Sequence, residues 1–367
     1  MNLTLRQKEI LTGLVIAALA FGWVLAGEAA LFLQQWRQFG GQADVEKSDS
    51  FYIDPETGLR IPRPNAALGK LQFNSLGFRG DELEMPKPPG RIRLAFVGSS
   101  STLDPNVTDD RKTWAAQAMK VVRDRLPNCD FDYLNAGVPG FGLAETTTYF
   151  QHNVAKTEPD LVVIWAGGFN EKLNDYAAAA HLTNGTHYSP SLLAEISRFW
   201  AKLEKNAVVI RRQRAAHSNV GKLDVSRFDL ITDYKAELAQ MRLAVTGTGA
   251  LPVIMSIPGW LREGLDLRLY DEAAKTDVFF MPYMSYDALI DTRQRFDAAL
   301  TEFGQAQHTP IIQWWGLMQP KPSYFADSNH FSPQGSVAYG AAIGDRLADV
   351  IESKRVKFAA ACDQSDK

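Results

Sequence analysis

Five short apolar runs alternate with segments of helical periodicity between residues 91 and 350, and this alternation restricts the fold more than any other feature of the sequence. The runs are nearly continuous in apolar residues, which is typical of strands buried on both faces of a parallel sheet. They cover residues 91–97, 131–137, 160–168, 251–258 and 309–317. We therefore expect an α/β fold, a three-layer α/β/α sandwich with about five parallel strands.

Segments with helical spacing of apolar residues lie between these runs, as expected of helices that cover both faces of a sheet. They span residues 113–126, 144–156, 233–250, 286–307 and 333–350. The stretch from about 176 to 232 is too long for a simple connection between elements. We expect a helical insertion there that forms a lid or cap.

An apolar segment near the N-terminus predicts contact with a membrane. No charged residue occurs from Ile10 to Gly27, and the apolar character resumes after Glu28. Because about 20 apolar residues in a helix cross a bilayer core, residues 10–33 suffice for a transmembrane helix. A signal peptide cleaved near residues 24–26 is the alternative. The length of the run favours an uncleaved, single-pass anchor in the inner (cytoplasmic) membrane, with the rest of the chain in the periplasm or otherwise outside the cytoplasm.

The chain divides into four predicted segments. Residues 1–35 are the membrane anchor or signal segment. Residues 36–90 are expected to be a stem or linker, because their glycines and prolines favour turns over regular elements. Residues 91–350 form the α/β domain, and residues 351–367 form a C-terminal tail.

Composition and cysteine content exclude several classes of function. The net charge is -3 and no basic run occurs, so we expect no nucleic-acid partner. The only cysteines, Cys129 and Cys362, cannot form a cysteine-based zinc site. They could form a disulfide in an oxidising compartment, or Cys129 could be a small buried apolar residue. No phosphate-binding loop or cluster of metal ligands occurs, so we expect neither a cofactor nor a metal.

Polar residues and glycines follow the predicted strands, at the end where a parallel sheet gathers its functional groups. Serines 99–101 follow the first run, and a glycine-rich loop at 135–142 follows the second. Residues 167–171 follow the third run, and Asp327 and His330 come after the fifth. A hydroxyl, glycine amides, an asparagine and an Asp/His pair are the groups that acyl transfer requires, namely a nucleophile, oxyanion donors and an oriented base.

These blocks resemble those of the SGNH hydrolase family, the GDSL-like esterases and lipases, over about residues 91 to 350. They stand here as Gly98-Ser99-Ser100, the N-x-G-x-x-G loop from Asn135 to Gly140, Gly168-Phe169-Asn170-Glu171, and Asp327-Ser328-Asn329-His330. The resemblance implies a flavodoxin-like sheet with the strand order 2-1-3-4-5. Residues 74–82, NSLGFRGDE, are similar to the segment that precedes the domain in bacterial membrane-anchored members. Ser99 and Glu171 replace the aspartates of the first and third blocks.

The resemblance implies Ser100 as the nucleophile, His330 as the general base and Asp327 as the carboxylate that orients it. The spacing of three residues lets Asp327 reach Nδ1 of His330, which leaves Nε2 free to take the serine proton. The amides of Ser100 and Gly140 and the side chain of Asn170 are expected to form the oxyanion hole. Taken alone, serines 99–101 could equally serve as turn residues, but the order of the four blocks favours the catalytic role.

The expected activity is serine ester hydrolysis that removes acyl groups, above all acetyl, from a cell-envelope glycan or lipid. A glycan O-acetyltransferase with the same triad is an alternative, in which a sugar hydroxyl replaces water. A non-catalytic envelope protein on an inactive SGNH scaffold is another, and Ser99 would favour it. The expected partners are an acylated carbohydrate or lipid substrate and the membrane, and no feature of the sequence identifies a protein partner.

Overall fold

A five-stranded parallel sheet lies at the centre of the molecule. The computed structural model describes residues 4–40, 48–167, 169–183 and 188–362, with backbone alone for residues 169–171 and 359–361. The strands are β1 (Phe51–Ile53), β2 (Arg60–Pro62), β3 (Ala67–Leu68), β4 (Leu71–Gln72), β5 (Arg91–Gly98), β6 (Asp130–Gly137), β7 (Leu161–Trp165), β8 (Leu251–Met255) and β9 (Ile311–Ile312). The central sheet has the order β6-β5-β7-β8-β9, which confirms the predicted order 2-1-3-4-5.

Helices form most of the remaining regular structure. They are α1 (Leu5–Phe39), α2 (Ser100–Leu103), α3 (Trp114–Arg125), α4 (Leu143–Tyr149), α5 (Phe169–Ala179), α6 (Leu192–Ile196), α7 (Arg198–Ala216), α8 (Leu230–Gly247), α9 (Tyr270–Ala273), α10 (Lys275–Phe280), α11 (Tyr286–Ala306), α12 (Pro333–Ser353) and α13 (Arg355–Cys362). α3 packs against α12, while α4 and α11 pack against α8. The α/β sandwich predicted from the apolar runs is confirmed, and α6 and α7 lie in the stretch predicted as a helical insertion.

The close packing of α12 against α3 depends on two glycines one turn apart. A Cβ atom on Gly340 would lie 2.6 Å from the carbonyl oxygen of Trp114, and one on Gly344 would lie 2.6 Å from that of Ala118. These distances are far below ordinary contact, so only glycine allows the two backbones to approach this closely. The packing matters for the site because α12 begins just after the predicted base, His330.

Residues 48–90, assigned from sequence to a stem or linker with few regular elements, instead pack against the domain. β1 pairs with β2 and β3 pairs with β4 in short antiparallel hairpins. A small second core contains Phe51, Leu68, Leu71, Phe73 and Leu103 of α2. The sequence prediction differs from the structure because the glycines and prolines that break long elements also form the turns of short hairpins.

The C-terminal segment, predicted as a tail, is helical as far as Cys362 and is attached to the domain. A disulfide joins Cys129, just before β6, to Cys362 at the end of α13. The bond links residues 233 positions apart. Of the two states that the sequence left open for the cysteines, the structure therefore has the disulfide.

α1 is 35 residues long and contains no buried residue. Within the described ranges it is the helix that is long and apolar enough to cross a membrane. Thr4 caps its N-terminus by accepting a hydrogen bond from the amide of Gln7. These properties fit a membrane anchor and a signal sequence alike.

Removal of the disulfide by Cys129→Ala together with Cys362→Ala should destabilise the protein. Because the cross-link restricts the unfolded chain, we expect a loss of about 3 kcal/mol in the free energy of unfolding and a fall in Tm on the order of 5 °C. A thermal melt in detergent measures it. A reducing agent should lower the Tm of the wild type to that of the variant and leave the variant unchanged; equal melting of the oxidised wild type and the variant would contradict the cross-link.

Candidate active site

The turn after β5 brings the three serines out of the sheet. Gly98 has a φ of +146°, and a Cβ atom there would lie 2.6 Å from Oγ1 of Thr102 and 2.8 Å from Cβ of Trp165. Both the backbone conformation and the lack of space therefore require glycine at this position. The chain turns directly into α2, with Ser99 as the residue before the helix and Ser100 as its first residue.

The structure brings together the three residues predicted as a catalytic triad. Oγ of Ser100 lies 2.8 Å from Nε2 of His330, although the two residues are 230 positions apart. Nδ1 of His330 lies 2.8 Å from Oδ2 and 3.0 Å from Oδ1 of Asp327. A hydroxyl, an imidazole and a carboxylate thus form one hydrogen-bonded series, the arrangement in which an imidazole can take the hydroxyl proton.

The loop that carries Asp327 and His330 holds the carboxylate in place. Oδ1 of Asp327 accepts hydrogen bonds from the amides of Asn329 and His330, both at 2.9 Å. Between them, the buried hydroxyl of Ser328 accepts from the amide of Asp277 at 3.3 Å and so ties the loop to α10. The imidazole is therefore oriented by a carboxylate that has little freedom of its own.

A buried ionic cluster supports the same loop from behind. Asn329 donates through Nδ2 to Oδ1 of Asp277 at 3.0 Å and accepts from Nη2 of Arg293 at 2.7 Å. Nη2 of Arg293 also pairs with Oδ2 of Asp277 at 2.9 Å. Burial raises the pKa of Asp277, and the charge of Arg293 opposes that rise. These contacts fix the loop, because a broken member would leave a buried charge unpaired, although Nε of Arg293 itself is buried without a hydrogen-bond partner.

The contact between His330 and Asp327 shifts the pKa values of both residues. Burial disfavours the charged imidazolium, but the hydrogen bond and the charge of Asp327 outweigh it, so the pKa of His330 is raised above its usual 6.5. Burial also raises the pKa of Asp327, but the hydrogen bond and charge of His330 outweigh that effect and hold its pKa below the usual 3.8. The carboxylate therefore stays ionised wherever the imidazole changes its charge.

The reactivity of Ser100 should depend on pH through His330. Only the neutral imidazole can take the serine proton, so labelling by a fluorophosphonate should rise with pH and inflect above about 6.5. Asp327→Asn removes the charge that stabilises the imidazolium and should move the inflection to lower pH. The rate of labelling measured from pH 5 to 9 tests both statements. An inflection well below that of free histidine in the wild type would contradict the assignment of the base.

The predicted oxyanion loop begins beside the end of β5. Gly137 is paired with Gly98, and the amide of Val138 donates to the carbonyl oxygen of Gly98 at 2.9 Å. Gly140 follows in a turn with a φ of +86°. Asn170 lies in the first turn of α5, directly after β7, and its side chain is outside the described residues, as is Gly168. The oxyanion roles of Ser100, Gly140 and Asn170 stay predictions.

Arg79, in the NSLGFRGDE segment, is buried and fastens the end of α2. Its Nη1 donates to the carbonyl oxygens of Leu103 and Asp104 at 2.6 and 2.7 Å, and its Nη2 donates to that of Val107. Its Nε pairs with Asp110 at 2.8 Å. The last carbonyl groups of a helix lack hydrogen-bond donors within the helix. The guanidinium of Arg79 supplies such donors and so fixes the helix that carries Ser100. No pattern in the sequence predicts this role.

Two further polar residues, Asp104 and Asn135, hold α2, and no pattern in the sequence predicts this role for them. Asp104 follows the helix, and its buried carboxylate accepts hydrogen bonds from the hydroxyl of Ser336 and, at 3.1 Å, from the amide of Trp114. Burial raises the pKa of Asp104 to about 6. Nδ2 of Asn135, at the end of β6, donates to the carbonyl oxygen of Thr102 at 2.7 Å. α2 is thus tied to β6, α3 and α12 together.

Replacement of Arg79 should slow the reaction of Ser100 without unfolding the protein. Arg79→Lys keeps the charge but loses the forked set of donors. The displacement of α2 by about 1 Å that we expect should slow labelling by up to about 100-fold. Labelling kinetics with a fluorophosphonate, together with a thermal melt, separate this effect from loss of fold. The exposed Arg111 provides the matched control, since Arg111→Lys should label at the wild-type rate. A wild-type rate in Arg79→Lys would contradict the positioning role.

A cavity of about 720 Å³ lies beside the ends of β8 and β9. Its walls include Ile257, Arg293, Phe296, Asp297, Trp314 and Trp315. No triad residue lines it, but Arg293 connects it to Asn329, the neighbour of His330. Burial raises the pKa of Asp297 to about 7, so the carboxyl group that it contributes to the cavity wall can be neutral or charged near neutral pH.

Comparisons with known proteins identify similar solved structures. Comparison with protein-family models and with curated proteins finds no match. A GDSL-like lipase from Bacteroides thetaiotaomicron is 13% identical with a TM-score of 0.38, over 71% of this chain and 88% of that one. A lipolytic protein of the G-D-S-L family from Desulfitobacterium hafniense is 10% identical with a TM-score of 0.39, over 70% and 99%. A catalytic mutant of an acetylxylan esterase from Geobacillus stearothermophilus is 12% identical with a TM-score of 0.40, over 71% and 94%.

Proposed function

Since the chain has the strand order and the motif positions of the SGNH hydrolase fold, we propose that it is a serine esterase. The proposed substrate is an acylated glycan or lipid of the cell envelope, with acetyl as the acyl group. The observation that carries the proposal is the hydrogen-bonded series from Ser100 through His330 to Asp327, at the end of the sheet where parallel folds place their reactive groups.

In the first half of the proposed reaction, His330 takes the proton of Ser100 through Nε2 while Oγ attacks the carbonyl carbon of the ester. The negative charge that develops on the carbonyl oxygen is received by the amides of Ser100 and Gly140 and the side chain of Asn170, as the resemblance implies. The imidazolium, stabilised by Asp327, then returns its proton to the departing alcohol. The product of this half is an acyl ester on Ser100.

In the second half, water replaces the alcohol. His330 takes a proton from water, the resulting hydroxide attacks the acyl carbon, and the proton passes to Oγ of Ser100 as the acid leaves. The raised pKa of His330 suits a group that must accept and return a proton near neutral pH. The ionised Asp327 holds the ring in one orientation through both halves.

Ser99, which stands where the family has aspartate, is compatible with this chemistry. Its side chain makes no capping hydrogen bond to α2. The contact between Ser100 and His330 has an ordinary length with serine at this position. The contact between Ser100 and His330 therefore supports an active enzyme over a non-catalytic scaffold.

We further propose that α1 is an uncleaved anchor in the cytoplasmic membrane and that the domain lies outside the cytoplasm. The length and apolar character of α1 support the anchor. The disulfide between Cys129 and Cys362 supports an oxidising compartment, since structural disulfides are rare in the reducing cytosol.

Ser100→Ala should abolish hydrolysis of a chromogenic acetyl ester while the fold is retained. The covalent route disappears, and we expect a loss of about 10⁴-fold or more in kcat. Ser101→Ala is the matched control, because it removes the adjacent hydroxyl and keeps the backbone carbonyl that accepts from Nε1 of Trp114. The control should lose less than about tenfold, the equivalent of one hydrogen bond.

The same pair of variants, labelled with a fluorophosphonate, identifies the nucleophile directly. Labelling should occur in the wild type and in Ser101→Ala and be absent in Ser100→Ala. Labelling that survives in Ser100→Ala would place the nucleophile elsewhere, and a wild type that neither labels nor hydrolyses would favour the inactive scaffold. When a glycan acceptor is added, release of free acid indicates an esterase, whereas acylated glycan indicates a transferase.

A further inference from the structure

α6 and the first turns of α7 expose a group of large apolar side chains. Leu192, Leu193 and Ile196 of α6 are 79%, 52% and 83% exposed, and Trp200 and Leu203 are exposed on α7, the helix that packs against α6. We call these five side chains the α6–α7 apolar surface. Contiguous apolar surface of this kind indicates contact with a partner or a membrane rather than with water.

The same pair of helices contacts α1. The carboxylate of Glu28 accepts hydrogen bonds from the hydroxyl of Ser197 and, at 2.9 Å, from the amide of Phe199. The guanidinium of Arg198 lies 5.3 Å from the ring centre of Phe32, further along α1. The start of α7 is therefore attached to α1 at a defined position.

The contact between α1 and the start of α7 lies at the surface of the bilayer. This inference rests on the proposed membrane anchor. Residues 10–27 contain no charge and, as helix, span about 27 Å, close to the thickness of a hydrocarbon core. Glu28 is the first charged residue after them and belongs at the level of the headgroups. Ser197 and Phe199, which bind Glu28, lie at this level too, and α6 ends one residue before Ser197.

The net charge of these helices is positive, the sign that an anionic lipid surface attracts, although Arg198, Lys205 and Arg212 lie against aromatic rings of the protein. Residues 192–216 contain six basic and two acidic side chains, whereas the whole chain has a net charge of -3. Apolar side chains beside basic ones are typical of helices that lie in the plane of a membrane interface.

We propose that the α6–α7 apolar surface inserts into the headgroup region of an anionic bilayer. This contact is a second attachment to the membrane beside α1, and it holds the domain against the surface. A second copy of the chain or a protein partner would cover the same side chains but would not explain why they lie at the level of Glu28.

Spin labels on the full chain, reconstituted in liposomes of phosphatidylethanolamine and phosphatidylglycerol, test the proposal. Leu192→Cys reports on α6, Leu14→Cys reports on the middle of α1, and Leu243→Cys is the matched control on an exposed position of α8. Accessibility to oxygen and to a water-soluble nickel chelate gives the depth of each label. We expect the label at Leu192 to lie about 5–10 Å inside the interface and the label at Leu243 to lie in water.

The outcomes separate the proposal from the anchor on which it rests. A label at Leu192 that is as accessible to nickel as the label at Leu243, with Leu14 in lipid, overturns the docking surface and keeps the anchor. A label at Leu14 in water overturns both. A label at Leu192 shielded from nickel and oxygen alike indicates a protein interface and also overturns lipid docking.

A second experiment tests the role of lipid charge. Exchange of phosphatidylglycerol for phosphatidylcholine should increase nickel access at Leu192. No change in nickel access would overturn the proposed preference for an anionic bilayer.

Discussion

The parallel pairing of β5 with β6 and β7 is the constraint on which the site depends. Strands that run in one direction end at one side of the sheet, so Gly98, the loop after β6 and the start of α5 become neighbours there. The proposed triad also includes His330, which comes from the far end of the chain. The contact of α12 with α3 brings it close to Ser100, because α12 begins three residues after His330 and α3 is the next α-helix after α2, which begins with Ser100.

Buried polar groups fix the two segments that carry Ser100 and His330 in the positions where the fold brings them together. Arg79 holds the end of α2, and the cluster of Arg293, Asp277 and Asn329 holds the loop of the imidazole. Burying such groups is costly, and an apolar cluster of the same volume could be as stable. Their contribution is directional, because hydrogen bonds define one position for Ser100 and one for His330, whereas apolar packing tolerates small displacements.

The segment between α1 and the central sheet contacts both α1 and the helix that carries Ser100. Nζ of Lys70 donates to the carbonyl oxygen of Arg37 at 2.6 Å near the end of α1, and Arg79 reaches α2 a few residues later. With the contact of Glu28 to α7, α1 is joined to the domain at two places. In the proposed orientation the domain lies directly on the membrane.

Apolar periodicity along the chain predicts the α/β class, and the order of the motifs, through the family resemblance, predicts the strand order; the structure confirms both. The same motifs predict Ser100, His330 and Asp327 as a triad, and that role stays a prediction. Distances between remote residues depend instead on the tertiary structure. It made Arg79 a support of α2 rather than part of a stem, joined Cys129 to Cys362, and placed α7 against Glu28. Short hairpins and a buried arginine leave no periodic pattern, and the pairing of two distant groups is set by the packing of everything between them.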